Sequence, residues 1–412
     1  MQFAITCAAG LESVLKKEIE LAGYKVTSNQ QTLIRFTGDQ TAIAKINLRS
    51  RVWNKLFLEL GKKKVSDFDG LFDLVSCIDW KMYVQGNPIV VTAASKRSKL
   101  TSTPTIQSIC KKAIVKKLLA KVEDWDPHQS ASKATLHVAP KPTKWSVDTL
   151  RVESEERVFE DPKLEPVEIF IHIDNDECTI LLNTTGESLH KRWYKKATGD
   201  APINEALAAW LVLLSWWKFS EPLYDVFCGS GTIAIEAALI AKNIAPGSFR
   251  HFAFESRNRY DKSILADLKK NLLTPSEWNH QTSFVNKEHT IIASDIDPEM
   301  IAIAQENAKN AWVDKYIQFA VKDIKEYLNE SELIGSMVSN PPYGLRLNNI
   351  IDLMGLYKTL ATLFEKNPKL HGGIITSFEQ FEEKKLSGNW KKSPFYNGGE
   401  QCRFYKKSLL SA

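Results

Sequence analysis

The strongest constraint on the fold lies in the second half of the chain, where four short apolar runs each end in an acid or a rigid turn. Leu223–Phe227 leads through Asp225-Val226-Phe227-Cys228-Gly229-Ser230-Gly231-Thr232 straight into the apolar run Ile233–Ala241. Ile291-Ile292-Ala293-Ser294-Asp295-Ile296-Asp297-Pro298 precedes the helical pattern Glu299–Ala311, and Ile317–Val321 is followed by Asp323. Leu333–Val338 ends in Ser339-Asn340-Pro341-Pro342-Tyr343-Gly344. Short buried strands alternating with helices specify an α/β domain, and open sheets of that class bind ligands at the carboxyl ends of their strands. Leu356–Phe364 (helix), Gly373–Thr376 (strand) and the turn Phe395–Glu400 before Cys402–Tyr405 finish the sheet with a hairpin.

Each strand end carries its own chemistry. In the Asp225–Thr232 turn, glycines let backbone amides approach a ligand at a helix N-terminus, which suits a nucleotide-like cofactor or a carboxylate. The turn lacks the lysine of a triphosphate-binding loop and the third glycine of a dinucleotide fingerprint. Asp295 and Asp297 can accept hydrogen bonds from ribose hydroxyls, although Asp295, Asp297 and Asp323 also stand where helix caps are common. At Asn340, two prolines fix φ and remove two amide donors, leaving an amide oxygen and bare carbonyls beside the flat ring of Tyr343. That set suits a planar exocyclic amine: the acceptors hold its hydrogens while the ring stacks. Read alone, the same tetrapeptide is also an ordinary Asn-Pro turn.

The first half has a different character. Residues 1–60 show an α+β pattern: a strand at Phe3–Thr6, an amphipathic helix over Gly10–Ala22 closed by Gly23, a strand at Leu33–Phe36, a helix at Thr41–Leu48 and a strand at Trp53–Leu58. Residues 61–185 hold the basic material. The strand Ile89–Ala93 runs into Lys96, Arg97 and Lys99, and the helix Thr105–Ala120 clusters Lys111, Lys112, Lys116 and Lys117. No acid occurs from Lys96 to Lys121, a pattern that fits phosphate contact as well as a solvated face. The stretch around Trp125–Leu164 is rich in Pro, Lys and Glu and weakly periodic, an insertion or long loop, and Glu153–Glu165 is locally acidic. Val167–Ile173 and Thr179–Asn183 form a hairpin around Asp174-Asn175-Asp176. Residues 186–200 connect the halves, and the interleaved cations and aromatics of His190–Lys196 serve equally well for nucleic acid or for packing. The helix Glu205–Trp217 opens the final domain, residues 201–412, just after Pro202.

Composition sets outer limits. The 412 residues are 43% hydrophobic and 25% charged with a net charge of +5, ordinary globular usage. No apolar run reaches membrane-spanning length, and Met1-Gln2-Phe3-Ala4-Ile5 lacks a signal peptide's basic start. Six scattered cysteines without a Cys-x-x-Cys argue against zinc and against a disulfide framework, so a reduced, cytoplasmic protein without a metal is expected.

On these motifs residues 201–412 resemble the Rossmann-type S-adenosylmethionine-dependent methyltransferases. More narrowly, Leu189-His190-Lys191-Arg192-Trp193-Tyr194, Ala201–Ala209, Asp225–Ala238 and Asn243-Ile244-Ala245-Pro246-Gly247 resemble the bacterial THUMP-domain guanine-N2 RNA methyltransferases. The opening Cys7-Ala8-Ala9-Gly10-Leu11-Glu12 and the stretch Ser98-Lys99-Leu100, Gln107 and Lys111-Lys112-Ala113-Ile114 are similar to that family's N-terminal half. The likeness covers nearly the whole chain apart from about 123–166. It departs at Trp193 and Lys195-Lys196, where Gly and Tyr-Arg are expected, and at Val226, where Pro is usual.

The resemblance implies an α/β fold, a mostly parallel seven-stranded sheet ending in a hairpin, preceded by a ferredoxin-like module and a THUMP RNA-binding domain. It implies S-adenosylmethionine over Asp225, Phe227, Cys228, Gly229, Ser230, Gly231 and Thr232, with Asp295 and Asp297 at the ribose, Asp323 near the adenine and Asn204 at the methionine end. Asn340, Pro341, Pro342 and Tyr343 would hold a guanine N2. Lys96, Arg97, Lys99, Lys111, Lys112, Lys116, Lys191 and Arg192 are the expected RNA contacts. The implied partner is 23S rRNA or its assembly intermediate, with tRNA as the alternative and no membrane. Adenine N6 or protein glutamine are the other acceptors such a motif serves, and a non-catalytic RNA-binding assembly factor is the remaining class.

Overall fold

The computed structural model describes residues 1–119, 160–195, 203–257, 260–272, 291–342, 350–377, 390–397 and 400–408. Most of the expected insertion over 123–166 therefore lies outside the described residues. The chain forms two compact units, one of residues 1–56, 187–252 and 261–412, the other of residues 57–186 and 253–260.

The smaller unit is built from β4 (Lys55–Lys64), α3 (Phe68–Ser76), β5 (Ile89–Lys96), α4 (Thr103–Leu119), β6 (Val167–Asp174) and β7 (Glu177–Asn183), in strand order β4-β7-β6-β5. β5 and β6 are parallel, from Ile89 opposite Val167 to Lys96 opposite Asp174, and the other pairs are antiparallel. The β6–β7 hairpin closes on Asn175 and Asp176, both left-handed at φ 51° and 60°, as the right-handed twist of a two-residue hairpin requires. Helix α4 buries Ile106, Cys110, Ala113, Ile114 and Leu118 and leaves Lys112 and Lys116 outside. Helix α3 was not anticipated from the sequence.

In the larger unit the N-terminal segment contributes β1 (Gln2–Thr6), α1 (Glu12–Leu21), β2 (Lys25–Gln30), β3 (Leu33–Thr37) and α2 (Gln40–Arg49). β3 pairs antiparallel with both β1 and β2. Val14, Leu15 and Ile19 of α1 are buried, as the amphipathic spacing dictates. β2 escapes the sequence reading because it is a polar edge strand with no apolar alternation to betray it.

The second sheet runs β10-β9-β8-β11-β12-β14-β13, where β8 is Leu223–Asp225, β9 Ile291–Asp295, β10 Ile317–Val321, β11 Gly335–Ser339, β12 Leu370–Thr376, β13 Trp390–Asn397 and β14 Glu400–Lys407. β14 is antiparallel to its neighbours β12 and β13, and the rest are parallel. Helices α5 (Glu205–Leu214), α6 (Thr232–Ala241), α7 (Lys262–Leu272), α8 (Pro298–Asn310) and α9 (Ile350–Lys366) complete it. β11 and β12 are buried at every residue, which is why they read as apolar or small runs apart from His371, whose ring pairs with Glu221 at 2.6 Å. This is the Rossmann-like sheet with a terminal hairpin that the sequence implied. Beside β11, the core packs Tyr224, Met337, Leu360, Leu363, Phe364 and Ile374 together.

A buried charge network ties the N-terminal segment, the connector and α6 into this unit. Arg192 donates from Nε to Glu236 Oε1 at 3.2 Å and from Nη2 to the Arg51 carbonyl at 2.8 Å, with both charged side chains fully buried. The Tyr194 hydroxyl donates to the same Glu236 oxygen at 3.0 Å. Arg51 donates to the Ile244 carbonyl at 2.7 Å, while its own amide donates to Glu18 at 3.0 Å. Burial pushes the Arg51 guanidinium down to about 10 despite the attraction of Glu236. Removing one partner of such a pair strands the other charge in an apolar medium, at a cost of about 3–5 kcal/mol. Glu236→Ala is therefore expected to destabilise the protein by about that amount in denaturant titrations, and a loss under ~1 kcal/mol would show the network to be dispensable.

Candidate active site

The strand order places β8 beside β11, and the chain crosses over in opposite directions from that pair. Loops leaving the two carboxyl ends therefore diverge and open a crevice between them. They are joined at its floor, where the Val226 amide donates to Ser339 Oγ at 3.0 Å and Ser339 is fully buried. Asp225 and Asn340 are the residues flanking this bond in the chain.

The glycine loop is held open by its own geometry. Gly229 and Gly231 have φ of +49° and +82°. A Cβ at Gly231 would lie 2.9 Å from Ala304 Cβ on α8, so this glycine is needed both for the turn and for helix packing. A Cβ at Gly229 would meet nothing within 4 Å, so that side of the loop is free for a ligand. The Cys228 amide donates to the Ser294 carbonyl at 2.9 Å, and Asn307 Nδ2 donates to the Ser230 carbonyl at 3.1 Å. Burial, reinforced by Asp225 and Asp295, pushes the Cys228 thiol well up, which removes it as a nucleophile.

Two acids meet beneath this loop. Asp295 accepts the Gly229 amide at 2.9 Å and the Asp297 amide at 3.1 Å, which fixes the loop to the end of β9. Asp225 is fully buried, and among the described residues neither carboxylate oxygen has a hydrogen-bond partner. Burial, with the Asp295 charge adding to it, drives the Asp225 carboxyl well up; the Phe227 and Ala234 amides pull the other way without closing to well-formed bonds. Two orphaned buried oxygens below an open glycine turn fit a ligand carrying an amine or a cation, as S-adenosylmethionine does.

The remaining expected cofactor residues are placed as follows. Asp297 caps α8 through the Glu299 amide at 2.8 Å. Asp323 forms a capping box with Glu326 beyond β10, and Asn204 caps α5 through the Ala206 and Leu207 amides at 2.9 and 3.2 Å. Asp297, Asp323 and Asn204 thus serve as caps in this structure. Phe227 is half-buried, and Ser230 and Thr232 line the turn into α6. Among the described residues no group of three or more His, Cys, Asp and Glu could hold a metal.

On the acceptor side Asn340 Oδ1 is buried without a hydrogen-bond partner among the described residues, and Pro341 is buried beside it. Tyr343 lies outside the described residues. Sequence reasoning missed three supports: Ser339 on the cofactor loop, Tyr357, whose hydroxyl reaches Thr376 Oγ1 at 2.7 Å and the Pro342 carbonyl at 3.4 Å, and Tyr327, whose hydroxyl pairs with Ser294 Oγ at 3.0 Å. Each is a hydroxyl whose role depends on a strand neighbour, and no local pattern signals it.

Of the expected RNA contacts, Lys96, Arg97, Lys99, Lys112 and Lys116 are exposed in the smaller unit. Arg97 pairs with Asp174 at 2.6 Å, and Lys111 with Glu160 at 3.1 Å. Lys191 pairs with Glu187 on the surface at 2.8 Å. Arg192 needs correction: it is sealed in the network with Glu236 and Arg51, so no phosphate can reach it. Tyr194 is likewise fully buried, and Lys195 is buried against Glu205 at 3.2 Å. The described part of the connector's basic-aromatic run thus packs the fold at these positions.

Two outcomes follow for the site. Ser339→Ala leaves the Val226 amide without its acceptor and is expected to cost about 1–3 kcal/mol of stability while lowering methyl transfer more than cofactor affinity, as calorimetry beside kinetics would resolve. For Asp225 the folded protein retains a proton that the unfolded chain has released. Stability of the ligand-free protein should therefore fall as pH rises from the ordinary carboxylate value of 3.8 toward the raised one. In Asp225→Asn that part of the slope should vanish from melting temperatures measured against pH, and cofactor affinity should drop.

Comparison with known proteins agrees with this geometry. Residues 2–56 match the ferredoxin-like domain of RlmL. YpsC of Bacillus subtilis (strain 168), whose name places it provisionally among RNA methyltransferases, is 34% identical over 97% of this chain and 94% of its own. "Ribosomal RNA large subunit methyltransferase K/L" of Shewanella sp. (strain W3-18-1) is 28% identical over 98% of this chain, which spans 52% of that longer protein. The crystal structure of SMU.472 complexed with SAH superposes with a TM-score of 0.80 at 29% identity, covering 100% of this chain and 98% of that one. The Rossmann-like fold and the S-adenosylmethionine chemistry implied by the sequence are borne out. With residues 192–406 matched by its methyltransferase-domain model, the chain belongs to the UPF0020 family of RMKL-like methyltransferases.

Proposed function

We propose that this protein transfers a methyl group from S-adenosylmethionine to the exocyclic N2 of a guanine in large-subunit ribosomal RNA. The observation that carries the reading is Asn340 Oδ1, a buried acceptor without a partner among the described residues, at the carboxyl end of β11 and one residue from the bond to the cofactor loop. The names of YpsC and of the K/L methyltransferases support RNA as the acceptor.

Bound S-adenosylmethionine supplies an activated methyl on a sulfonium, so the protein's task is placement rather than activation. Asp225 and the Gly229–Gly231 turn would hold it, with Asp295 fixing the loop from below. Asn340 Oδ1 accepts a hydrogen of the target amine and turns its lone pair toward the donor side. The Val226–Ser339 bond keeps donor and acceptor loops in register while this happens. The target base must leave the helix stack, since N2 of a paired guanine lies along the minor groove. Tyr343 is the residue proposed to stack on it. Residues 61–185, with Lys96, Arg97, Lys99, Lys111, Lys112 and Lys116, form the proposed RNA-binding THUMP domain between the 1–60 module and the 186–200 connector, and 201–412 the catalytic domain.

The test is transfer of labelled methyl to unmodified rRNA and tRNA, with nucleoside mass spectrometry of the product. N2-methylguanosine in the rRNA is the expected product, and Asn340→Ala should lower kcat by about 10²-fold or more with little change in cofactor affinity. Label on adenine N6 or on protein would replace the guanine assignment, and label on tRNA would move the substrate.

A further inference from the structure

The larger unit carries a second concentration of positive charge, remote in the chain from the glycine loop and Asn340. Lys391 on β13 stands directly opposite Lys406 on the neighbouring antiparallel strand β14. Like charges in that position repel. Lys406 is only 8% exposed, and its Nζ lies 3.3 Å from the ring centroid of Trp216. Lys17, exposed on α1, adds a third charge, and burial together with Lys391 and Lys17 pushes the Lys406 ammonium down to about 8. Among the described residues none of these three lysines has a carboxylate or a hydrogen-bonding partner. Trp216 is held in a left-handed conformation at φ 59°, and the residue is 53% exposed although large and apolar.

A cation nine-tenths buried and facing two like charges is costly unless an anion completes the cluster. A half-exposed indole against the same ammonium adds a stacking surface, the combination by which proteins grip a nucleic-acid strand. We propose that the exposed Lys17 and Lys391, flanking the buried Lys406 and its half-exposed Trp216, form a phosphate-contact subsite for the RNA strand, outside the methyl-transfer centre, with Lys406 contributing charge from beneath rather than contact. This rests on RNA being the substrate. The α1 helix and the terminal hairpin, elements at opposite ends of the sequence, contribute jointly to it. The subsite gives the N-terminal segment a direct part in holding RNA.

The subsite is tested by fluorescence anisotropy of the full chain with a labelled, unmodified large-subunit rRNA transcript over roughly 50 to 300 mM KCl, with methyl transfer measured in parallel. Each lost phosphate contact lowers the slope of log affinity against log salt by about 0.7–0.9, or roughly fourfold in affinity near 150 mM. Lys17→Gln and Lys391→Gln, both at exposed positions, should each show that loss, and together a roughly 15-fold one. Lys391→Gln should also raise the melting temperature by relieving its repulsion with Lys406. Lys369→Gln, whose lysine pairs with Glu332 on the surface, should leave the slope unchanged. Wild-type binding and methylation of the RNA with an unaltered slope in the double variant would overturn the subsite and leave the methyltransferase reading standing. Absence of any RNA binding by the wild type would overturn both.

Discussion

The adjacency of β8 and β11 is the constraint on which the rest of this structure depends. Parallel strands that cross over in opposite directions leave a crevice between their carboxyl ends, and the glycine loop and the Asn-Pro-Pro turn border it. The Val226–Ser339 bond converts that topological accident into a fixed distance. Beyond the β8–β11 pairing, it is the bond that links the start of the glycine loop to the residue just before the Asn-Pro-Pro turn. With it, a donor site and an acceptor site share one buried anchor.

Stability is spent unevenly across this arrangement. Asp225 and Asn340 at the crevice carry three carboxylate or amide oxygens with no partner among the described residues, and unsatisfied buried groups of this kind are usually rare. The Arg192–Glu236–Arg51 network works in the other direction. It pins α6, whose N-terminus is the glycine loop, to the connector and to the N-terminal segment. A rigid α6 lets the loop above it keep two left-handed glycines and an unpaired acid without collapsing. The unsatisfied groups then mark where ligands complete the structure, since the protein alone leaves them incomplete.

The N-terminal segment therefore has a larger role than its sequence suggests. By pattern it is a small α+β module without catalytic groups, and nothing in residues 1–56 corrects that. Its Arg51, whose amide is held by Glu18, nevertheless donates to the Leu239 and Ile244 carbonyls at the end of α6, and its Lys17 joins charges from the last two strands. A segment without chemistry of its own thus braces the cofactor loop and extends the positive surface of the same unit.

What the sequence determined by itself was whatever depends on near neighbours in the chain. The periodic apolar runs set most of the strands and helices, the glycines of the 225–232 turn set its conformation, and the two prolines after Asn340 set the rigid acceptor turn. Polar β2 and short α3 escaped, the first because an edge strand needs no apolar alternation and the second because its stripe is brief. The tertiary structure alone decided which charges are free. Arg192 and Lys191 are adjacent and look equivalent as letters, yet one is sealed against Glu236 and the other lies in solvent beside Glu187. Ser339, Tyr357 and Lys406 likewise acquire their roles from residues tens to hundreds of positions away. Burial and partner choice are properties of long-range packing, and no local pattern encodes them.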